Sequence, residues 1–116
     1  MIVRGHDNVE EQSAENSHGG KGPYLVRTLM EAVMFDTKIA YIRELLLPKG
    51  SSIGLHPHSG DEEIYYVVSG KGTMLVDNER CIVKSGDAIL TKSGSKHGLI
   101  NDTEDALKIF VICVKM

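Results

Sequence analysis

From Ile39 onward the chain alternates between short apolar segments, rich in Ile, Val, Tyr and Leu, and breaks made of Gly, Asp, Asn and Ser. This is the pattern of strands and turns. The segments are Ile39 to Leu47, Glu63 to Val68, Thr73 to Val76, Cys81 to Val83, Ala88 to Leu90, Gly98 to Ile100 and Leu107 to Val114. Asp77 and Asn78 supply turn chemistry after one of them, and Ser85, Gly86 and Asp87 after another. Eight of the twelve glycines fall between Gly50 and Gly98, where the segments are shortest and the chain must reverse most often. Many short strands at this spacing predict an all-β sandwich or barrel.

Two regions read differently. Between Pro23 and Phe35 the apolar positions Leu25, Val26, Leu29, Met30, Val33 and Met34 recur every four residues, which on periodicity alone predicts a helix with one inward face. Residues 1–22 hold few apolar side chains and end in Gly19, Gly20, Lys21 and Gly22. They are expected to form a flexible N-terminal arm, with residues 23–116 as a single domain.

Length and composition narrow the classes. A chain of 116 residues is one domain's worth, and 41% apolar with 25% charged residues is ordinary globular usage. The formal charge is −3 and the basic residues are scattered, so no nucleic-acid surface is expected. The polar start lacks the apolar run of a secretory signal, and no stretch nears the ~20 apolar residues that span a bilayer. The expectation is therefore a cytoplasmic protein with neither nucleic acid nor membrane as partner. Cys81 and Cys113 lie in separate apolar runs with no CxxC pairing, and are read as small buried side chains.

The chemistry concentrates in two Gly-bounded segments. In GSSIGLHPHSGDEEIYYVVSG, residues 50–70, alternation along an extended strand puts His56 and His58 on one face. Glu63 follows a short turn, where a hairpin can return its carboxylate to both imidazoles. In GDAILTKSGSKHGLIN, residues 86–101, His97 stands at the mouth of a strand just past Gly94. Three neutral imidazoles and one carboxylate suit a divalent transition metal (Mn, Fe, Co, Ni, Cu or Zn), and an octahedral ion would keep two positions for water or substrate.

These segments resemble the two motifs of the cupins. Gly50, His56, His58, Glu63 and Gly70 fit the first; Gly86, Gly94, His97 and Asn101 fit the second, and nine of ten fixed positions match in register. The departure is Lys92, where the motif has proline; it loosens the turn before His97 but removes no ligand. Glu62 is also within reach of a hairpin, but only Glu63 has the motif's six-residue spacing to Gly70.

The resemblance implies a double-stranded β-helix, a jelly-roll-like barrel with the four ligands looking inward. It also implies that Tyr24 to Leu29 is a strand, leaving at most a helical turn near Glu31 to Met34. By parity Tyr65 and Leu99 share the faces of Glu63 and His97; these, with Phe110, Ile112 and an inward Arg43, are candidate pocket-lining residues. Two functions are open: a metal-dependent enzyme acting on a small organic acid, diketone or sugar-like substrate, of dioxygenase, decarboxylase or isomerase type, or a non-catalytic module binding metal and a small ligand as sensor or carrier. A homodimer is expected, its outer sheets paired and the arm adding an edge strand across the dimer.

Overall fold

The computed structural model describes residues 1–116 and contains no α-helix. Its strands are β1 (Glu11–Glu15), β2 (Pro23–Glu31), β3 (Ile39–Leu47), β4 (Ser52–Pro57), β5 (Asp61–Ser69), β6 (Lys71–Val76), β7 (Glu79–Lys84), β8 (Ala88–Thr91), β9 (Lys96–Ile100) and β10 (Leu107–Lys115). They build a six-stranded sheet in the order β1-β2-β3-β10-β5-β8 and a four-stranded sheet in the order β4-β9-β6-β7. Every pairing is antiparallel. The two sheets close on each other as the jelly-roll barrel that the motifs implied.

The helix that periodicity predicted over Pro23 to Phe35 is not formed. Residues Pro23–Glu31 make β2, and only Ala32–Met34 coil into a single 3-10 turn. The reason is tertiary: β2 lies between β1 and β3, so as a strand it satisfies its backbone from both sides. Residues Glu11–Glu15 form β1, the edge strand of the six-stranded sheet, paired with β2. Arg27 of β2 pairs with Glu11, and His6 meets Glu44 of β3, while Val9 is buried and Ala14 packs against the core, so charge and apolar burial together fix this segment to the sheet.

The interior is layered along the barrel. At one end Leu47 faces Leu107 across the β3–β10 ladder; next come Leu45, Ile109 and Val67; then Arg43, Val111 and Tyr65; and last Tyr41, Cys113, Glu63 and Thr91. The first two layers belong to the dry core, and the later ones turn progressively polar. One end of the barrel is thus plugged by aliphatic packing, while the other is a cavity.

The structure departs from two expectations. Along β10 burial alternates on Leu107, Ile109, Val111 and Cys113, so Phe110 and Ile112 point to the outer face and do not line the pocket. Cys113 is buried as expected, but Cys81 is exposed: it shares the face of buried Val83, yet β7 is the edge strand of the four-stranded sheet and leaves it uncovered.

Asn101, which closes the second motif, ties the plugged end together. Its fully buried amide donates to Leu47 O at 2.9 Å and Asp105 O at 2.8 Å, and its carbonyl accepts from Thr103 N at 3.0 Å and Thr103 Oγ1 at 2.8 Å. Replacing it would strand buried backbone groups without partners. We expect Asn101→Ala to lose about 2–4 kcal/mol of unfolding free energy, read by urea denaturation; a loss below about 1 kcal/mol would contradict this role.

Candidate metal centre

The open end gathers the four sequence-predicted donors from three strands and a loop. His56 lies on β4 and His97 opposite it on β9, Glu63 on β5, and His58 just after β4. His56 owes its direction to a bulge: Ile53 pairs with Leu99 and His56 with His97, so β4 spends one residue more than β9 over this interval. The extra residue reverses the parity of the strand. Ile53 and His56 both face inward, while Leu55 is left exposed.

The turn before His97 holds without the motif's proline. Ser95 N–H donates to Lys92 O, and Gly94 has a φ of 93°, which glycine adopts at little cost. His58 clamps the same turn twice, its N–H donating to Ser95 O and its carbonyl accepting from Gly94 N–H. Lys92 itself is exposed and supports the turn only through its carbonyl.

The donor atoms converge closely. His58 Nε2 and His97 Nε2 are 2.9 Å apart, and His97 Nε2 and His56 Nε2 are 3.1 Å apart. Glu63 Oε1 lies 3.3 Å from His58 Nε2 and 3.2 Å from His97 Nε2. The three imidazoles form a single group whose ligand atoms all lie within 4.8 Å of one another. Around an octahedral ion with bonds of about 2.1 Å, adjacent donors stand about 3 Å apart, so these separations fit a shared cation.

The protonation pattern fits it as well. His56 Nδ1–H donates to Gly54 O and His58 Nδ1–H to Asp61 Oδ1, each at 2.8 Å, because neither oxygen can donate in return. In the neutral rings both Nε2 atoms are therefore bare lone pairs. His97 Nδ1 meets the Thr91 hydroxyl at 2.8 Å, so only this ring can carry its proton on Nε2. At most one proton then serves four lone-pair atoms. Carbonyl, carboxylate and hydroxyl orient the imidazoles as partners of metal-bound histidines do.

Glu63 is buried yet ionised. Burial is the largest influence and pushes its carboxyl upward, but hydrogen bonds from His97 and Tyr41 outweigh it and hold the group below the usual range. Tyr41 Oη–H donates to Glu63 Oε2, leaving Oε1 to face the imidazoles. Burial and this bond also push the Tyr41 hydroxyl well above its ordinary value. His56 is lowered, first by burial and then by the neighbouring imidazoles, against the opposing pull of Gly54 O; this favours its neutral, coordinating form.

A cavity of about 220 Å³ opens onto these groups. Tyr65 lines it, with its ring 5.0 Å from that of His97, and Arg43 lines it from β3. Leu99 is fully buried in the core instead of standing in the cavity wall, and Val111 takes the place expected for Phe110 and Ile112. The Arg43 guanidinium lies 3.8 Å over the Tyr41 ring, and its Nε donates to Thr28 Oγ1 at 3.1 Å. Five contributors escaped the sequence reading. Thr91, Tyr41 and Thr28 act through contacts that only the folded register creates, and Asp61 through the turn that follows His58; His18 lies in the segment read as an arm, yet its ring stacks on His56.

Comparison with known proteins agrees with this architecture. The cupin domain family matches residues 43–113. Over 114 residues the chain is 32% identical to an oxalate-binding protein of Thermotoga maritima, covering 98% of this chain and 93% of the relative. A crystal structure described as a predicted oxalate decarboxylase from Thermotoga maritima superposes with a TM-score of 0.94 at 30% identity, covering 100% of both chains. The structure of KdgF from Halomonas sp. shares the fold, with a TM-score of 0.77 at 18% identity over 99% of this chain and 96% of that one. With both motifs in register and the family match spanning most of the barrel, the chain belongs to the cupin family.

Proposed function

We propose that this protein holds one divalent transition metal through His56, His58, His97 and Glu63 and binds a small dicarboxylate of the oxalate class at that centre. The supporting observation is the cage of lone pairs opening into a cavity that also contains Arg43. When bound, the ion would supply positive charge and two coordination positions beyond the four protein donors.

The chain's own residues complete the preference. Arg43 forms none of the ion pairs in the structure, so its guanidinium charge is not spent on a protein carboxylate. A divalent ion, the Glu63 carboxylate and Arg43 sum to two positive charges, the complement of a dianion. At about 220 Å³ the cavity is smaller than the ~300–1,000 Å³ of pockets for drug-sized molecules, so a compact ligand is favoured. The name of the Thermotoga maritima relative points to the same ligand class.

A second reading, decarboxylation of the bound dianion, is favoured by the description of the Thermotoga maritima structure. That reaction takes up one proton and releases formate and carbon dioxide, so formate production separates an enzyme from a binding module. The same cavity serves both.

We also propose that the protein is a homodimer formed through the outer face of the six-stranded sheet. There Ile64 lies beside Ile112 and Leu90, and Tyr66 beside Phe110, giving an apolar stripe across three neighbouring strands. Ile64, Tyr66 and Leu90 are exposed in the single chain, and a contiguous patch of this kind marks an association surface. Light scattering at micromolar concentration should give twice the 12.7 kDa chain mass, and Ile64→Lys should return a monomer; a monomeric parent protein would refute the dimer.

The ligand proposal is tested by calorimetric titration of manganese-loaded protein with oxalate. We expect Arg43→Met to retain the metal and weaken oxalate binding by about ten- to a hundredfold, as befits the loss of a charge-assisted contact. Oxalate binding unchanged in Arg43→Met, or equally tight without metal, would contradict the proposed site.

A further inference from the structure

The segment Asn16–Gly22, between β1 and β2, runs beside β4 at the mouth of the cavity. It is stitched to that strand by Lys21 N–H donating to Ser52 Oγ and by Ser52 N–H donating to Lys21 O, both at 2.9 Å. Tyr24 Oη–H reaches back to Ser17 Oγ at 3.0 Å. The backbones of strap and strand approach so closely that a Cβ on Gly20 would collide with Ser52 O, and one on Gly54 with His18 O. Glycine at both positions is what lets the strap lie down.

The strap also accepts unfavourable backbone geometry. Asn16 and His18 have φ values of 50° and 54°, in the left-handed region that costs a non-glycine residue about 1–2 kcal/mol. At His18 that conformation coincides with a specific contact: its ring lies parallel to the His56 ring, with centroids 3.8 Å apart and planes 14° apart. His56 is thereby held on its face by His18 and on its edge by Gly54 O. His18 also lines the cavity mouth while remaining exposed to solvent.

We propose that His18 is a positioning and specificity-determining residue: carried by the strap, it fixes the plane of the His56 imidazole and narrows the cavity mouth so that a short dicarboxylate is preferred to longer ones. This rests on the ligand class proposed above. Neither cupin motif includes His18, so its role follows from the strap of this chain. A pocket that gains room for one methylene changes discrimination by about ten- to a few-hundredfold, which sets the scale of the expected effect.

The experiment compares the parent protein with His18→Ala, His18→Phe and Gly20→Ala, each loaded with Co(II) and titrated with oxalate and malonate. We expect His18→Ala to raise the malonate-to-oxalate preference about tenfold and to shift the visible cobalt bands as His56 is freed. Gly20→Ala keeps the imidazole but lifts the strap and should move both readouts in the same direction; His18→Phe keeps a stacked ring and should stay near the parent. An unchanged preference and an unchanged cobalt spectrum in His18→Ala would overturn the proposal.

The two readings fail separately. If the parent takes up cobalt but neither dianion, the ligand class is wrong, and the cobalt spectrum of His18→Ala still decides whether His18 positions His56. If the parent takes up no cobalt, the ring-proton shifts of His56 in metal-free protein decide it. Movement in His18→Ala with recovery in His18→Phe supports the clamp, and no movement overturns it.

Discussion

The structure is organised around an electrostatic demand: four lone-pair atoms from different parts of the chain face one another at about 3 Å with at most one proton among them. Water or a stray proton satisfies such a cage poorly, and a cation satisfies it well. Each neighbouring element serves to hold the cage in place. The bulge at Gly54 turns His56 inward, the turn ending at Ser95 is locked to His58 from both sides, and Tyr41 takes the outer oxygen of Glu63. Three imidazole Nδ1 atoms are committed to fixed partners, so the remaining nitrogens have one direction in which to point.

This demand is met because the two ends of the barrel are built differently. Aliphatic layers and the Asn101 hydrogen bonds make one end rigid and dry, and the strands emerging from it deliver Tyr41, Glu63, Thr91 and Cys113 at one level. Cys113, buried against Asp61 and Tyr41, is pushed up to about 11, chiefly by desolvation, and so remains a neutral thiol beside the centre. Arg43 sits one layer below Tyr41, lines the cavity and makes no ion pair with a protein acid. The barrel thus sets a polar, open end on a rigid, dry base.

Much of this was legible in the sequence. The His56, His58, Glu63 and His97 spacing encodes local strand parity and turn length, which survive folding, and Ile39–Leu47 was bounded to the residue by its apolar content. Parity failed on β10 because almost every position from Leu107 to Val114 is apolar; only pairing with β3 and β5 decides that Val111 faces in and Phe110 out. β1 escaped because Glu11–Glu15 carries no apolar alternation and is held by partners far along the chain, such as Arg27. His18 lacked any spacing to the motifs, since its place beside His56 depends on two glycines, one in the strap and one in β4, meeting without side chains.

The central question is whether one ion sits among those four atoms. X-ray absorption at the metal edge, on protein reconstituted with a single equivalent of Mn(II), reports the atoms bound to the ion directly. The expected first shell contains three imidazole nitrogens with the multiple scattering of intact rings, together with oxygen donors; His97→Ala should remove one ring's contribution. A shell of oxygen alone, or one unaffected by loss of His97, would contradict it.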